Sequence, residues 1–396
     1  MTEALRDIEE MSPEVVVAEA GVTYDVTLVT TDGQESTLAC NSATTVLDAA
    51  EDAGMMLKAS CESGGCGACS AVLKNGRVEM GDHDPNVIEV PEGQGGILLC
   101  RSFPREDCRI ELPYDESKIV HGPPVRRDAE ITGLDRVADG VMRLTLTLRP
   151  AEDGSSTADF ESGQFFKIVV PGAPGRDGVV PGAPGRDGVV PGAPGRDGVS
   201  SEHDKEVRRA YSPANVSNWD GQLEFYIRLL PGGAMSDYLS ERAKVGDVLT
   251  VSSADGEFML AENGLRPRWF LAGGTGLSPL LSMLRKMAEF GEMQPARLFF
   301  GVTRHGEVFA QDEIAALAEI LPEFQAHTVV WNADPAWTGA VGNPVELAAA
   351  EIALMEEMPD VYLCGPPPMM DAAMAALTAA GVPEDQIHAE RFGTAV

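Results

Sequence analysis

The chain has 396 residues, enough for two or three domains that each bury a core, so a single small module is excluded. Its 30 Lys+Arg against 62 Asp+Glu give a formal charge of −32, which argues against nucleic acid or an anionic membrane surface as the main partner. No window approaches the roughly 18 uncharged apolar residues of a membrane span, and seven cysteines, four of them between Cys61 and Cys100, are too few and too clustered for a disulfide framework.

Residues 1–21 read as a flexible acidic extension. The segment Met1 to Met11, with four acids and one Arg, has no basic region leading into an apolar one, so a soluble cytoplasmic protein without membrane insertion is expected. Strand alternation begins at Val22 to Val29 and recurs at Ser36 to Cys40. Helical periodicity follows from Ala43 to Ala53, with Thr44 or Ser42 as its cap. Short strands are expected near Ser70 to Leu73 and Cys108 to Leu112, and Pro113 to Pro124 reads as a linker. Residues 22–118 thus form one α+β unit. The first 120 residues hold 23 acids and 8 bases, a net of −15 against −17 for the other 276, which makes this part about twice as acidic per residue.

Between 119 and 262 the chain is rich in short β-like runs: Val141 to Leu148, Phe165 to Val170, Leu223 to Leu230 and Val248 to Ser252, separated by Gly and Pro. They predict a small antiparallel barrel or sandwich. The decapeptide Val169 to Gly178 recurs unchanged as 179–188 and 189–198. Its Gly spacing breaks the every-third-residue rule of collagen, and three copies are too few for a solenoid, so 169–198 reads as a surface loop. From 263 to 396 strands and helices alternate, with strands at Trp269 to Ala272, Arg297 to Val302, Ala326 to Trp331 and Val361 to Cys364. The helices between and after them run over Leu277 to Glu289, Gln311 to Ile320, Pro344 to Glu357 and Met369 to Ala380, the pattern of a parallel α/β sheet.

Cys61, Cys66, Cys69 and Cys100 form C-x4-C-x2-C with a fourth Cys thirty residues on, the spacing of plant-type [2Fe-2S] centres. Gly64, Gly65 and Gly67 let the backbone fold tightly and aim N–H groups at the sulfurs. Structural zinc is the competing reading, but zinc sites pair C-x2-C knuckles, and here one half has x4 and the last Cys stands alone. Cys40 and Cys108 read as small core residues.

Downstream stand Arg209-Ala-Tyr-Ser-Pro-Ala-Asn215, Gly233-Ala-Met-Ser236, Ala272-Gly-Gly-Thr-Gly-Leu-Ser-Pro279 and Tyr362-Leu-Cys-Gly-Pro-Pro-Pro-Met369. In that order they resemble the ferredoxin-NADP reductase superfamily. With the iron-sulfur segment first, the chain from about 22 to 393 is similar to reductase components of bacterial multicomponent oxygenases. The nearest resemblance is to those of soluble methane monooxygenase and its alkane or alkene relatives, through Leu99 to Pro104, Ile110 to Tyr114, Leu223 to Pro231 and Val330-Trp331 with Trp337. The resemblance implies a β-grasp ferredoxin domain, an antiparallel β-barrel flavin domain and a parallel α/β nucleotide-binding domain. It also implies that Cys61 and Cys66 hold one iron and Cys69 and Cys100 the other.

Side-chain chemistry agrees with these strings. Arg209 offers a charged fork to a pyrophosphate, Tyr211 a face for an isoalloxazine ring, and Ser212 a hydroxyl to the same ring. Arg228, Gly233 and Ser236 complete the candidate FAD contacts, with Ser236 at the start of a helix over Met235 to Ala243. Gly273, Gly274, Thr275 and Gly276 lie between an apolar strand and a helix starting near Pro279, where a dinucleotide phosphate fits. The resemblance places Cys364, with Gly365 and Pro366, beside a nicotinamide and Phe392 over the flavin. Tyr211, Ser212, Cys364 and Phe392 are therefore the candidate catalytic set. On chemistry alone, Cys364 reads equally well as a buried strand-end thiol.

Ribose recognition is expected around Thr303 to Glu307. There Arg304 suits a 2′-phosphate and Glu307 repels one, while resemblance favours NADH over NADPH. No Glu-x-x-His or Cys-x-His pair occurs, so oxygen activation belongs to another polypeptide. The implied function is transfer of electrons from NADH through FAD and [2Fe-2S] to a separate di-iron hydroxylase that docks on the acidic ferredoxin domain. Glu62, where relatives often carry Arg, is expected to lower the cluster potential slightly and to alter that docking surface. The competing readings are a reductase for a phenol or alkene monooxygenase or a Rieske dioxygenase, and, from another class, a non-catalytic iron-sulfur carrier or redox sensor.

Overall fold

The structure is a computed structural model that describes residues 21–151, 154–172, 206–262 and 264–392. The expected N-terminal extension and most of the decapeptide loop, 173–198, lie outside the described residues.

Strands Thr23–Val29 and Glu35–Asn41 turn their alternate apolar residues inward and pair antiparallel, and Thr23–Val29 pairs parallel with Cys108–Glu111 on its other edge. Ser70–Asn75 and Gly96–Leu98 complete a five-stranded sheet, and helix Val46–Asp52 buries Val46, Leu47, Ala49 and Ala50 in the same core. This is the β-grasp arrangement. The helix cap is Thr45, whose side chain accepts from the Asp48 N–H, not Thr44 or Ser42. The Pro-rich connection is also more structured than a linker: Val120–His121 pairs with Met55–Met56 and ties it to the first unit. Cys40 and Cys108 are buried in that core.

The middle unit is a six-stranded, wholly antiparallel sheet ordered Arg208–Tyr211, Phe166–Val169, Val248–Ser252, Arg126–Ala138, Val141–Leu148, Gln222–Arg228. It forms the β-barrel around Ile131, Leu144, Leu146, Phe225 and Ile227, all 0–1% exposed, with helix Ala234–Glu241 against one end. Its longest strand, Arg126–Ala138, has no counterpart in the sequence reading. Two register shifts, at Ile131/Gly133 and Arg136/Ala138, break the two-residue period that would have revealed it.

The third unit is a six-stranded parallel sheet ordered Ala340–Val341, Phe324–Val330, Ala296–Val302, Arg268–Gly273, Asp360–Gly365, Ile387–Arg391. Arg268–Gly273 is buried throughout, as a central parallel strand must be. The helix expected over Pro344 to Glu357 ends at Ile352, where Ala353 caps it. The chain runs from Arg268–Gly273 outward in one direction and then returns to its other side, so strand order reverses there. In such sheets ligands bind beyond the carboxyl ends of the strands at the reversal. That point is where the Gly-rich turn sits.

Candidate functional site

In the cysteine loop Cys61 lies beside Cys66, and Cys69 beside Cys100. The N–H groups of Ser63 and Gly65 donate to Cys61 Sγ at 3.4 and 3.3 Å. Together with the neighbouring Cys66 thiol they pull Cys61 down to about 5, against the effect of burial. Gly67 has φ +82, and a Cβ there would run into the Val87 carbonyl oxygen, so the turn admits only glycine. Among the described residues no three His, Cys, Asp or Glu side chains converge on a single-ion site. Two pairs of thiols, each beside the other and served by main-chain donors, suit a two-iron centre.

A cavity of about 1090 Å³ opens where the three units meet. The ferredoxin loop contributes Ser60, Cys61 and Ser63, and the barrel contributes Arg209, Tyr211, Ser212, Arg228, Gly233 and Ser236. From the parallel sheet come Gly273, Gly274, Thr275, Pro366 and Phe392. Tyr211 is held by an edge contact with Phe225, ring centroids 6.5 Å apart at 65°. Arg209 is braced by donating to the Arg208 carbonyl at 2.8 Å. Ser236 accepts from the Leu230 N–H at 2.8 Å, fixing the Pro231–Gly233 turn.

Helices Ala234–Glu241 and Leu277–Phe290 both begin at a glycine without a side-chain cap, and both of these starts border the cavity. Their first N–H groups are therefore available to anions. A Cβ on Gly273 would meet Met369 Sδ at 2.5 Å and Pro366 Cδ at 2.7 Å, and one on Gly276 would strike the Cys364 carbonyl. These two glycines let the two strand-end loops touch. Gly274 alone of the three has open space beside it, on the cavity side.

Cys364 sits near the end of strand Asp360–Gly365. It is 0% exposed, belongs to the core with Phe270, Ala272 and Leu280, and is not among the cavity-lining residues. Gly365 likewise lies behind the wall, and Phe392 is fixed by its N–H donating to the Gly365 carbonyl at 3.2 Å. Glu390, on the last strand Ile387–Arg391, joins the site without a motif to announce it. Its carboxyl lines the cavity beside Ser212, and its Oε2 is buried with no partner. Burial and the charge of Asp255 push it up to about 8, with the Ser212 hydroxyl partly offsetting them. An acid within the last short strand of the α/β unit was its only signal in the sequence, and that strand's polar residues gave no pattern to single it out.

Near the ribose position, Glu307 accepts from Arg304 at 3.2 Å, from the Thr303 N–H at 3.2 Å and from Arg228 at 3.1 Å. Burial alone would raise this carboxyl, but the two guanidiniums hold it below the usual range. The two opposed residues of the sequence reading are thus partners. Glu62 also departs from expectation: its side chain is 17% exposed and pairs with Lys167 at 2.8 Å and Arg208 at 3.2 Å on the barrel. It faces the flavin unit and lies on no open docking surface.

Among known families, residues 29–105 match the 2Fe-2S iron-sulfur cluster binding domain, 199–260 the oxidoreductase FAD-binding domain and 270–375 the oxidoreductase NAD-binding domain. The chain is 31% identical over 358 residues to the propane 2-monooxygenase reductase component of Rhodococcus jostii (strain RHA1), covering 88% of this chain and 86% of the relative. It is 36% identical over 298 residues to methane monooxygenase component C of Methylosinus trichosporium, covering 75% and 78%. The toluate 1,2-dioxygenase electron transfer component of Pseudomonas putida is 30% identical over 94% of this chain and 99% of its own. Of solved structures, the Amycolatopsis cytochrome P450 reductase GcoB superposes with a TM-score of 0.67 at 25% identity, over 94% of this chain and all of that one. No helix among the described residues is long and apolar enough to cross a membrane.

Proposed function

We infer that this chain, which belongs to the reductase components of bacterial multicomponent oxygenases, takes electrons from NADH and delivers them to a separate di-iron hydroxylase of the methane or alkane monooxygenase type. It is an oxidoreductase with iron-sulfur, FAD-binding and NAD-binding domains, for which we propose the bounds 22–118, 119–262 and 263–396. When bound, the three groups supply a two-electron hydride donor, a flavin that divides the pair, and a centre that takes one electron at a time. The observation that carries the reading is the shared cavity, where Cys61, Tyr211 and Thr275 line one space.

In this reading Cys61 and Cys66 hold one iron and Cys69 and Cys100 the other, while Ser63 and Gly65 donate to the Cys61 sulfur. Arg209, Arg228 and the helix start at Gly233 to Ser236 bind the FAD phosphates, and Tyr211 and Ser212 orient the ring. Gly273, Gly274 and Thr275, with Pro366, would seat the dinucleotide, Gly276 and Gly365 let the two loops behind them close, and Phe392 would shield the flavin from water. The Cys364 carbonyl closes against Gly276, and its buried thiol stands behind this turn. Glu390, protonated below about 8, would hold a proton beside Ser212 on the cavity wall that the flavin would face.

A second reading has support of its own, because the toluate dioxygenase component is similar over nearly all of this chain. Reconstitution separates the two. Holoprotein with NADH is mixed in turn with a purified di-iron alkane hydroxylase and a purified Rieske oxygenase. The proposal expects substrate-coupled turnover with the first, and turnover with the Rieske enzyme alone overturns it. We further propose that the hydroxylase docks on the ferredoxin domain, away from the Glu62 face.

A further inference from the structure

Two groups of ion pairs join the ferredoxin unit to the rest of the molecule. In one, Glu51 accepts twice from Arg208, at 2.5 and 2.7 Å, and Glu62 pairs with Lys167 at 2.8 Å and Arg208 at 3.2 Å. All four side chains are only 16–19% exposed. In the other, Lys58 and Lys118 both donate to Glu257, each at 2.5 Å. The polarity is opposite: the ferredoxin unit brings acids to the first group and lysines to the second.

We propose that Glu51, Glu62 and Lys58 on the ferredoxin side, with Arg208, Lys167 and Glu257 facing them, form a two-point charge interlock that positions the Cys61 edge of the cysteine loop over the flavin pocket. Several features support it. Lys58 and Glu62 flank Ser60 and Cys61, the residues that reach into the shared cavity, so the two contacts bracket the segment whose placement matters. Glu62 is one of two described non-glycine residues with positive φ, at +50. A side chain in that backbone region persists only where its surroundings hold it, and here they are Lys167 and Arg208. Opposite polarity at the two points selects one orientation, since a ferredoxin unit turned half round would set Glu against Glu257 and Lys against Lys167. Partial burial strengthens the pairs of the first group over ones in open water, while Glu257 and Lys118, 52% and 54% exposed, form the point that salt weakens most.

The inference rests on the reductase reading, and its test separates the two. The holoprotein, the variant Lys167→Gln/Glu257→Gln and the conservative Lys167→Arg are studied by small-angle X-ray scattering from about 0.05 to 1 M salt, across which the Debye length falls several-fold. Neither residue lines the flavin or dinucleotide seat, so flavin bleaching by NADH stays at the parental rate in every variant. Expected are a larger radius of gyration for the double variant, an expansion of the parent only at high salt, and parental behaviour for Lys167→Arg. In anaerobic stopped flow the double variant should bleach its cluster more slowly, by up to about a hundredfold, the scale of loss from a misplacement near 1 Å. Superimposable scattering for all three proteins at every salt, with equal cluster bleaching, would overturn the interlock. A parent whose cluster never bleaches sinks the reductase reading instead, and scattering still decides the interlock.

Discussion

Glu307 reaches from the nucleotide-binding sheet to Arg228 of the barrel and accepts its guanidinium N–H at 3.1 Å while only 5% of its side chain is exposed. The same carboxylate neutralises Arg304, the one cation of the Thr303 to Glu307 segment suited to a 2′-phosphate. Glu307→Gln should release Arg304 and remove the repulsion, improving kcat/KM for NADPH relative to NADH by about tenfold or more. Steady-state kinetics with both nucleotides check this, and an unchanged ratio would place ribose selection elsewhere.

Cys69→Ser removes one sulfur of the Cys69 and Cys100 pair without touching the cavity wall. Transfer to a hydroxylase should be abolished, while NADH-driven ferricyanide reduction through the flavin persists. Equal loss of both activities would contradict the order in which electrons travel.

Arg209 projects into the cavity from a strand that its own bond to the Arg208 carbonyl stabilises. Arg209→Ala should weaken FAD by about ten- to a hundredfold, the value of one charge-assisted contact of about 1.5–3 kcal/mol. Fluorimetric titration of flavin into the stripped protein measures it.

Glu390 gives a pH signature. Its carboxyl titrates near 8 in the folded chain, raised from an ordinary value near 4.5, so the native state holds a proton that the unfolded state has lost between those limits. The stability this confers is complete below about 4.5 and disappears as pH rises through about 8. With water in the cavity, the loss should be on the order of 1–2 kcal/mol in cofactor-free protein. Melting temperatures from pH 5 to 9 should fall more steeply for the parent than for Glu390→Gln; parallel curves would show the carboxyl to be ordinary.

Much of the site was legible in the chain because its chemistry sits at fixed spacings. The four thiols, Arg209 to Ser212 and the turn Gly273 to Gly276 are local patterns whose geometry follows from a few neighbouring residues. What escaped depends on partners distant in sequence. Glu62 reads as a surface acid until Lys167 and Arg208 are brought against it. Glu390 lies on a strand whose residues, Ile-His-Ala-Glu-Arg, show little apolar alternation, because burial there comes from Tyr362 stacking on His388, ring centroids 4.8 Å apart. Strand Arg126–Ala138 was masked by its two register shifts and by charged residues that pair across the sheet, such as Asp135 with Arg143. Cys364, which chemistry alone left open between a strand-end thiol and a nicotinamide contact, is buried beside Phe270 and Ala272.

Anaerobic titration of the holoprotein with NADH, followed at flavin and iron-sulfur wavelengths together, tests the relay most directly. The account predicts that both chromophores bleach in proportion to added NADH and that a rhombic paramagnetic signal grows as the iron-sulfur absorbance falls. A flavin that stays oxidised, or an iron-sulfur absorbance that persists beside a fully bleached flavin with NADH in excess, would contradict it.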